Sequence, residues 1–234
     1  MTDFMNYLSE RSYPGRGILL GRSSDNSKAV IVYFIMGRSA NSRNRVFEAT
    51  EDGIRTKAYD KSKMVDPSLI IYHPVRRLEN GMTIVTNGDQ TDTVRDFIAQ
   101  GGTFADALRT RTFEPDGPNW TPRVSGIVKA DGSYDLSILK SLDGDDSCSC
   151  RYFYEYDAPK AGTGHFISTY VGFENPIPSF QGEPVSVGVE AGSAQEFAES
   201  IWANLNDDNK VSLFVSYIDL ASGKDETVII NKYE

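Results

Sequence analysis

Three arginines, Arg38, Arg43 and Arg45, fall within eight positions after Gly37, with Ser39, Asn41, Ser42 and Asn44 between them. Guanidinium forks match the oxygens of phosphate and carboxylate, so this turn suits a small anionic molecule. A solvated loop after a buried strand would have the same composition. A second stretch, Asn87-Gly88-Asp89-Gln90-Thr91-Asp92, reads as a strand-to-helix junction. Its structural job is a tight turn and an N-cap. Its chemical option is to hold an anionic or carbonyl group on free helix amides and the side chains of Asn87 and Thr91. The third stretch runs from Thr112 to Arg123 and has three prolines and a glycine, which give a loop a fixed shape. A carboxylate held there, Glu114, can act as general acid or base if its pKa is suitable. Taken alone, it reads as a surface acid.

Other chemistry-bearing residues carry less. Gly15-Arg-Gly17 with Gly21 lacks the preceding strand and following helix of a phosphate-binding glycine loop, and reads as a turn into an edge strand. His73 and His165 are the only histidines and form no H-x-x-x-H pair; each reads as a strand-end residue, with His165 a candidate pocket lining. Cys148 and Cys150 can build neither a disulfide framework nor a zinc site. Thr2 would become an N-terminal nucleophile on loss of Met1, but it lies well ahead of the first strand.

Charge narrows the partners. Lys and Arg total 24 against 33 Asp and Glu, a net charge of −9, which argues against nucleic acid. An anionic ligand then needs a local positive pocket, which directs attention to the arginine turn. There is no n-region and h-region pattern at the amino terminus, and the longest apolar run is too short to span a bilayer. The expectation is a cytoplasmic protein with no membrane partner.

The elements that must position these residues follow from the pattern. Residues 2–12 read as a short helix. Strands are expected at 17–22, 29–36, 54–59, 69–75, 82–86, 123–129, 134–141, 151–156, 166–171, 210–220 and 226–231. The 29–36 run is apolar without alternation, as in a strand covered on both faces. Asn80-Gly81, Ala130–Ser133 and Ser222-Gly223 read as hairpin turns. Helices are expected after Thr91, capped by that residue and closing at Gly101-Gly102, and after Thr103, with Asp106 following. Ser193-Ala-Gln-Glu196 is a capping box for a helix with Phe197, Ile201, Trp202 and Leu205 on one face. The alternation from Val211 to Ile218 leaves a half-apolar face that is either core or a contact in a homo-oligomer. With no linker or repeat, residues 1–234 read as one domain of α+β class, with two packed sheets and helices outside.

In combination, GRSANSRNRVF, SLIIYHPVR, IVTNGDQTD, TFEPDGPNWTPRVSG, GHFISTY and PSFQGEP resemble the archaeal-type IMP cyclohydrolase family. The match runs from about residue 14 to 220, and no single motif carries it. The resemblance implies a four-layered αββα sandwich of the N-terminal-nucleophile hydrolase type, without self-processing. It implies dehydrative closure of 5-formamidoimidazole-4-carboxamide ribonucleotide to IMP in a pocket between the sheets, with no metal or cofactor. The partners implied are this nucleotide and its product. The family's arginine and glutamate fall on Arg45, beside Arg43, and on Glu114. Tyr72 is then a candidate to orient the carboxamide. Arg38, Ser39, Asn44, Arg123 and the Asn87, Gly88, Asp89, Thr91 and Asp92 turn are candidates for phosphate, ribose and base. The amino terminus and late loops are longer than in compact archaeal members. Two rival readings remain open: a non-catalytic nucleotide-binding protein, and an amide hydrolase using Thr2.

Overall fold

The structure, a computed structural model, describes residues 1–234 except 65, 66, 68, 173, 190, 191 and 234. Two antiparallel sheets face each other. The six-stranded sheet has the order β11-β10-β1-β2-β12-β13, with β1 Arg16–Arg22, β2 Lys28–Met36, β10 Thr163–Ser168, β11 Val185–Gly188, β12 Lys210–Asp219 and β13 Asp225–Asn231. The seven-stranded sheet runs β3 to β9 in chain order: Arg45–Thr50, Gly53–Ala58, Val75–Arg77, Thr83–Thr86, Arg123–Val128, Tyr134–Leu142 and Asp145–Tyr156.

Strand β2 shows why the sheets stack. Val30, Val32, Phe34 and Met36 enter one apolar core with α1 (Phe4–Ser9) and α5 (Ala194–Asn204). Its alternate residues Ala29, Ile31, Tyr33 and Ile35 enter the core between the sheets. Both faces are covered, as an unalternating apolar run requires. A third core packs α3 (Gln90–Ala99) and α4 (Phe104–Arg109) onto the other sheet through Val94, Leu108, Ile84 and Leu139. The α+β class and the packed sheets agree with the sequence reading. Each large apolar side chain buried this way contributes about 1.5–3 kcal/mol.

Several local expectations are corrected. β1 is an interior strand, not an edge: it pairs with β2 on one side and β10 on the other. A Cβ on Gly17 would strike the Phe34 and Phe166 rings, and Gly15 has φ of +80°, so these glycines serve close packing and a left-handed turn. Residues 69–74 are turn, not strand. Pro67 accepts from the amides of Ile70 and Ile71, Pro74 lacks a donor, and only Val75–Arg77 pair. The arginine stretch folds into a four-residue helix, α2 (Ala40–Arg43), and the start of β3. β9 extends back to Asp145 from a hairpin in which Asp143 and Gly144 both have positive φ. β10 starts earlier and ends at Ser168; Tyr170 turns to bridge Ser179. The first helix is confined to Phe4–Ser9, capped by Asp3. On β12 both faces are core: Leu213, Val215 and Tyr217 pack under α5, and Val211 and Phe214 between the sheets. The capping box at Ser193–Glu196 and the Thr103 cap form as expected.

Candidate active site

Glu114 is buried. Its amide donates to the Thr121 carbonyl at 2.9 Å, and Thr121 in turn donates through its amide to Asp116 at 2.7 Å. The Thr121 hydroxyl also contacts Asp116 and the Tyr170 hydroxyl, which ties the loop to itself and to the segment after β10. Phe113 and Trp120 pack edge to face at 5.9 Å across it.

At the head of β1, Arg16 Nη2 donates to Glu114 Oε1 at 2.7 Å, with the two side chains 11% and 4% exposed. Asn87 Nδ2 reaches the same oxygen at 3.3 Å and donates to the Pro122 carbonyl at 2.9 Å. Burial pushes the Glu114 carboxyl above the usual range, with the Arg16 and Arg123 guanidiniums pulling the other way. Burial opposes charge on Arg16 too, but Glu114 and three tyrosines outweigh it and hold the guanidinium firmly protonated. Its Nε is buried without a hydrogen-bond partner among the described residues.

The facing wall is aromatic and cationic. Tyr33, from the apolar β2 run, shares a 2.8 Å hydrogen bond with Tyr72, held on the 69–74 turn by Thr56. Burial raises the Tyr33 hydroxyl far above its ordinary pKa, while the charges of Arg16 and Arg45 both act to lower it. Arg45 is buried at the start of β3 and donates through Nε to the Ser42 carbonyl at 2.9 Å. Arg43, by contrast, donates to the Gly37 carbonyl at 2.8 Å and to Asn209 Oδ1 at 3.1 Å. It fastens the turn to the end of β2 and to the segment leading into β12.

The remaining candidates divide. Arg123 is buried and donates to Asp89 at 2.7 Å and Gln90 at 2.7 Å; burial lowers its pKa, while Glu114 and Asp89 favour its charge. Burial works against the Asp89 carboxylate, but Arg111 and Arg123 hold it below the usual range. Gly88 lets Arg123 pass beneath, since a Cβ there would meet Nη1 at 2.7 Å. Thr91 is not the cap of α3; Asp89 holds that position without a side-chain bond, and the Thr91 hydroxyl bonds Thr86 and the Gly88 carbonyl inside the turn. Asp92 pairs with Arg76 and Arg95. Asn44 brackets Asp60 through two backbone bonds. Ser39 caps α2, and Arg38 is exposed, its guanidinium 5.0 Å from the Tyr13 ring. Tyr13 stacks on Tyr170, whose hydroxyl burial pushes up to about 12.

The structure therefore brings Glu114, Asn87, Arg16, Tyr33, Tyr72 and Arg45 together, with Arg123 at one side, and gives Thr91 and Asp92 local tasks. Arg16 and Tyr33 were missed in the sequence. The available signals were an arginine between two glycines heading an apolar strand, and one hydroxyl in an otherwise apolar run. His165 pairs with Leu20, near the end of β1 opposite Arg16. Its Nδ1 is 2.7 Å from the Tyr134 hydroxyl and its ring stacks on Tyr156 at 3.9 Å, with burial lowering its pKa. Thr2 is bound as a backbone bridge to Val187 on β11, two strands from β1. Among the described residues, no three His, Cys, Asp or Glu side chains converge as a metal centre requires, and no helix is long and apolar enough to cross a membrane.

Chemically, the cluster offers a buried carboxyl group with a raised pKa, a candidate to exchange a proton, beside guanidiniums that can stabilise charge on oxygen. Comparison with known proteins identifies a matching family. A family model described as IMP cyclohydrolase-like protein matches residues 13–224. An IMP cyclohydrolase of Methanothrix thermoacetophila is 29% identical over 197 residues, 81% of this chain and 85% of that protein. One of Methanopyrus kandleri is 26% identical over 162 residues, covering 68% and 75% respectively. One of Methanococcus maripaludis is 32% identical over 127 residues, where the match spans 52% of this chain and 61% of that relative.

Proposed function

The chain belongs to the IMP cyclohydrolase-like family, and on that premise we propose that it is an IMP cyclohydrolase, closing the ring of 5-formamidoimidazole-4-carboxamide ribonucleotide to IMP in the cytoplasm. We read residues 1–234 as one domain of the N-terminal-nucleophile hydrolase type that has no terminal nucleophile. The helix layers outside both sheets and the backbone bridging of Thr2 support that reading.

The observation that carries the proposal is the buried Glu114–Arg16 pair beside the hydrogen-bonded Tyr33–Tyr72 hydroxyls, with the buried Arg45 near enough for its charge to act on Tyr33. The carboxamide nitrogen is a poor nucleophile because its lone pair is delocalised, and the formamide carbon is a deactivated electrophile. As the nitrogen–carbon bond forms, one amide proton passes to Glu114, help of a kind that contributes about 10²–10⁴-fold. Charge developing on the formyl oxygen is taken up by Arg45 and by the unpaired Nε of Arg16. Glu114 returns the proton taken in the first step to the oxyanion, and the carbon–oxygen bond breaks. The departing hydroxide takes the proton given up by the formamido nitrogen to leave as water, with Glu114 ionised again. Tyr72 orients the carboxamide, and holding both reacting groups in one conformer supplies much of the remaining rate. Arg38, Ser39, Asn44 and Arg123, with the turn at Asn87, Gly88 and Asp89, are the proposed contacts for the ribose phosphate and base.

The test is to incubate purified protein with the formamidoimidazole ribonucleotide and identify the product by chromatography and mass. IMP forming in proportion to enzyme supports the reading. Unchanged substrate at every enzyme concentration overturns it.

A further inference from the structure

The sheet edges are not treated alike. The four-residue edge strand β11 is covered by Thr2, whose amide donates to the Ser186 carbonyl at 2.9 Å. β3 is clasped by Asn231, which accepts from the Phe47 amide at 2.8 Å and donates to its carbonyl at 3.0 Å. β13, which carries that clasp, is tied to α5 where Glu226 accepts from the Ala194 amide at 3.2 Å. β9 is twelve residues long, and among the described residues no hydrogen bond reaches its outward-facing backbone between Cys148 and Tyr156. A long open edge is a template for another strand unless the fold blunts it.

We propose that β9 is the interface of a homodimer, in which it pairs antiparallel with β9 of a second copy about a two-fold axis through Phe153. A two-fold perpendicular to a sheet keeps each face on its own side. Only residues of equal parity can then stand opposite, which leaves few registers for the segment Arg151-Tyr-Phe-Tyr-Glu155. Centred on Phe153, Arg151 faces the second copy's Glu155, and symmetry repeats the pair. Tyr152 then faces Tyr154, and Phe153 faces itself. Centring on Arg151 sets two arginines opposite each other, and centring on Cys150 sets Glu155 against Asp145. Centring on Tyr152 or Tyr154 sets Phe153 against Arg151 or Glu155. The Phe153 register matches both charges and joins the aromatic rings.

The side chains are placed for this role. Arg151 and Glu155 are exposed on the outer face of the sheet. Arg151 is held beside the strand by donating Nε and Nη2 to the Arg111 carbonyl at 3.1 and 2.8 Å. Tyr152 is 40% exposed on the opposite face. Pairing would satisfy the open backbone and join two seven-stranded sheets. The inference is independent of the reaction.

Sedimentation velocity on the full chain over a concentration series tests it, with wild type, Arg151→Glu, Glu155→Arg and the combined exchange. The wild type should run as a dimer. Each single reversal sets like charges opposite at both pairs and should weaken the dimer about tenfold or more. The combined exchange should restore it. Should Arg151→Glu lose its fold by circular dichroism, Glu155→Arg carries the decision. A wild type that is monomeric throughout, a dimer unmoved by the reversals, or a combined exchange that stays as weak as the singles overturns the proposal.

Discussion

Glu114 and Arg16 lie 98 positions apart in the chain, yet Arg16 Nη2 donates to Glu114 Oε1 at 2.7 Å inside the sandwich. The pair joins the two sheets, Arg16 from the head of β1 and Glu114 from the loop leading into β7. Removing one member strands the other charge in a dry site, which costs about 3–5 kcal/mol, whereas replacing both with apolar side chains of similar volume is often neutral. Arg16→Met should lower unfolding free energy by that amount, and adding Glu114→Leu should return most of it. Denaturant titrations of the three proteins check this; equal losses in single and double variants would contradict it.

The same pair sets a pH dependence. Burial raises the Glu114 carboxyl above its ordinary value, with Arg16 and Arg123 restraining the rise. A general base must be ionised, so kcat/KM should fall as pH drops through that raised value, giving an acid limb above the range of exposed glutamates. For stability the sign is opposite. A carboxyl whose folded pKa is raised contributes stability below its unfolded pKa, and this is lost as pH rises through the folded value. Arg16→Met should move the acid limb to still higher pH. A pH–rate profile whose acid limb coincides with that of an exposed carboxylate would contradict the assignment.

Arg43 and Arg45 should separate cleanly. Losing one preorganised donor to a developing oxyanion costs about 3–4 kcal/mol, so Arg45→Lys should cut kcat roughly 10²–10³-fold. Arg43→Lys gives up bonds to Gly37 and Asn209. It should cost about 1–2 kcal/mol of stability and leave kcat near wild type. Steady-state kinetics beside thermal unfolding distinguish them, and the reverse pattern would move the catalytic assignment to Arg43.

How legible the site was depends on what each residue's role requires. Prolines and a glycine marked the loop of Glu114 as fixed, and three cations after a core strand in a chain of net charge −9 marked the turn of Arg45. Pattern alone read Glu114 as a surface acid and did not choose among the arginines; the family resemblance supplied both assignments. Arg16 did not stand out, because its role comes from long-range closure of β1 between β2 and β10, and local pattern reads Gly-Arg-Gly only as a turn. Tyr33 was hidden for a similar reason: its hydroxyl meets Tyr72 only once the 69–74 segment folds as a turn pinned by Thr56. β2 and the two well-capped helices were readable because unalternating apolar runs and caps are local signals. β3 was missed altogether, because the charged and amide side chains just before Val46 and Phe47 made the whole stretch read as a ligand turn. β9 was caught only in its second half, since Asp145–Cys150 has little strand propensity.

The most direct test of Glu114 as base follows the ultraviolet change on purine ring formation, with wild type and Glu114→Gln at equal concentration and saturating formamidoimidazole ribonucleotide. The glutamine keeps the shape and can still accept from Arg16 but cannot take a proton. The predicted result is rapid IMP formation by wild type and a roughly 10²–10⁴-fold slower rate in the variant, with IMP binding retained by calorimetry. Equal rates would contradict the role of Glu114. Saturable IMP binding without turnover by the wild type would contradict the enzyme reading itself and leave a nucleotide-binding protein.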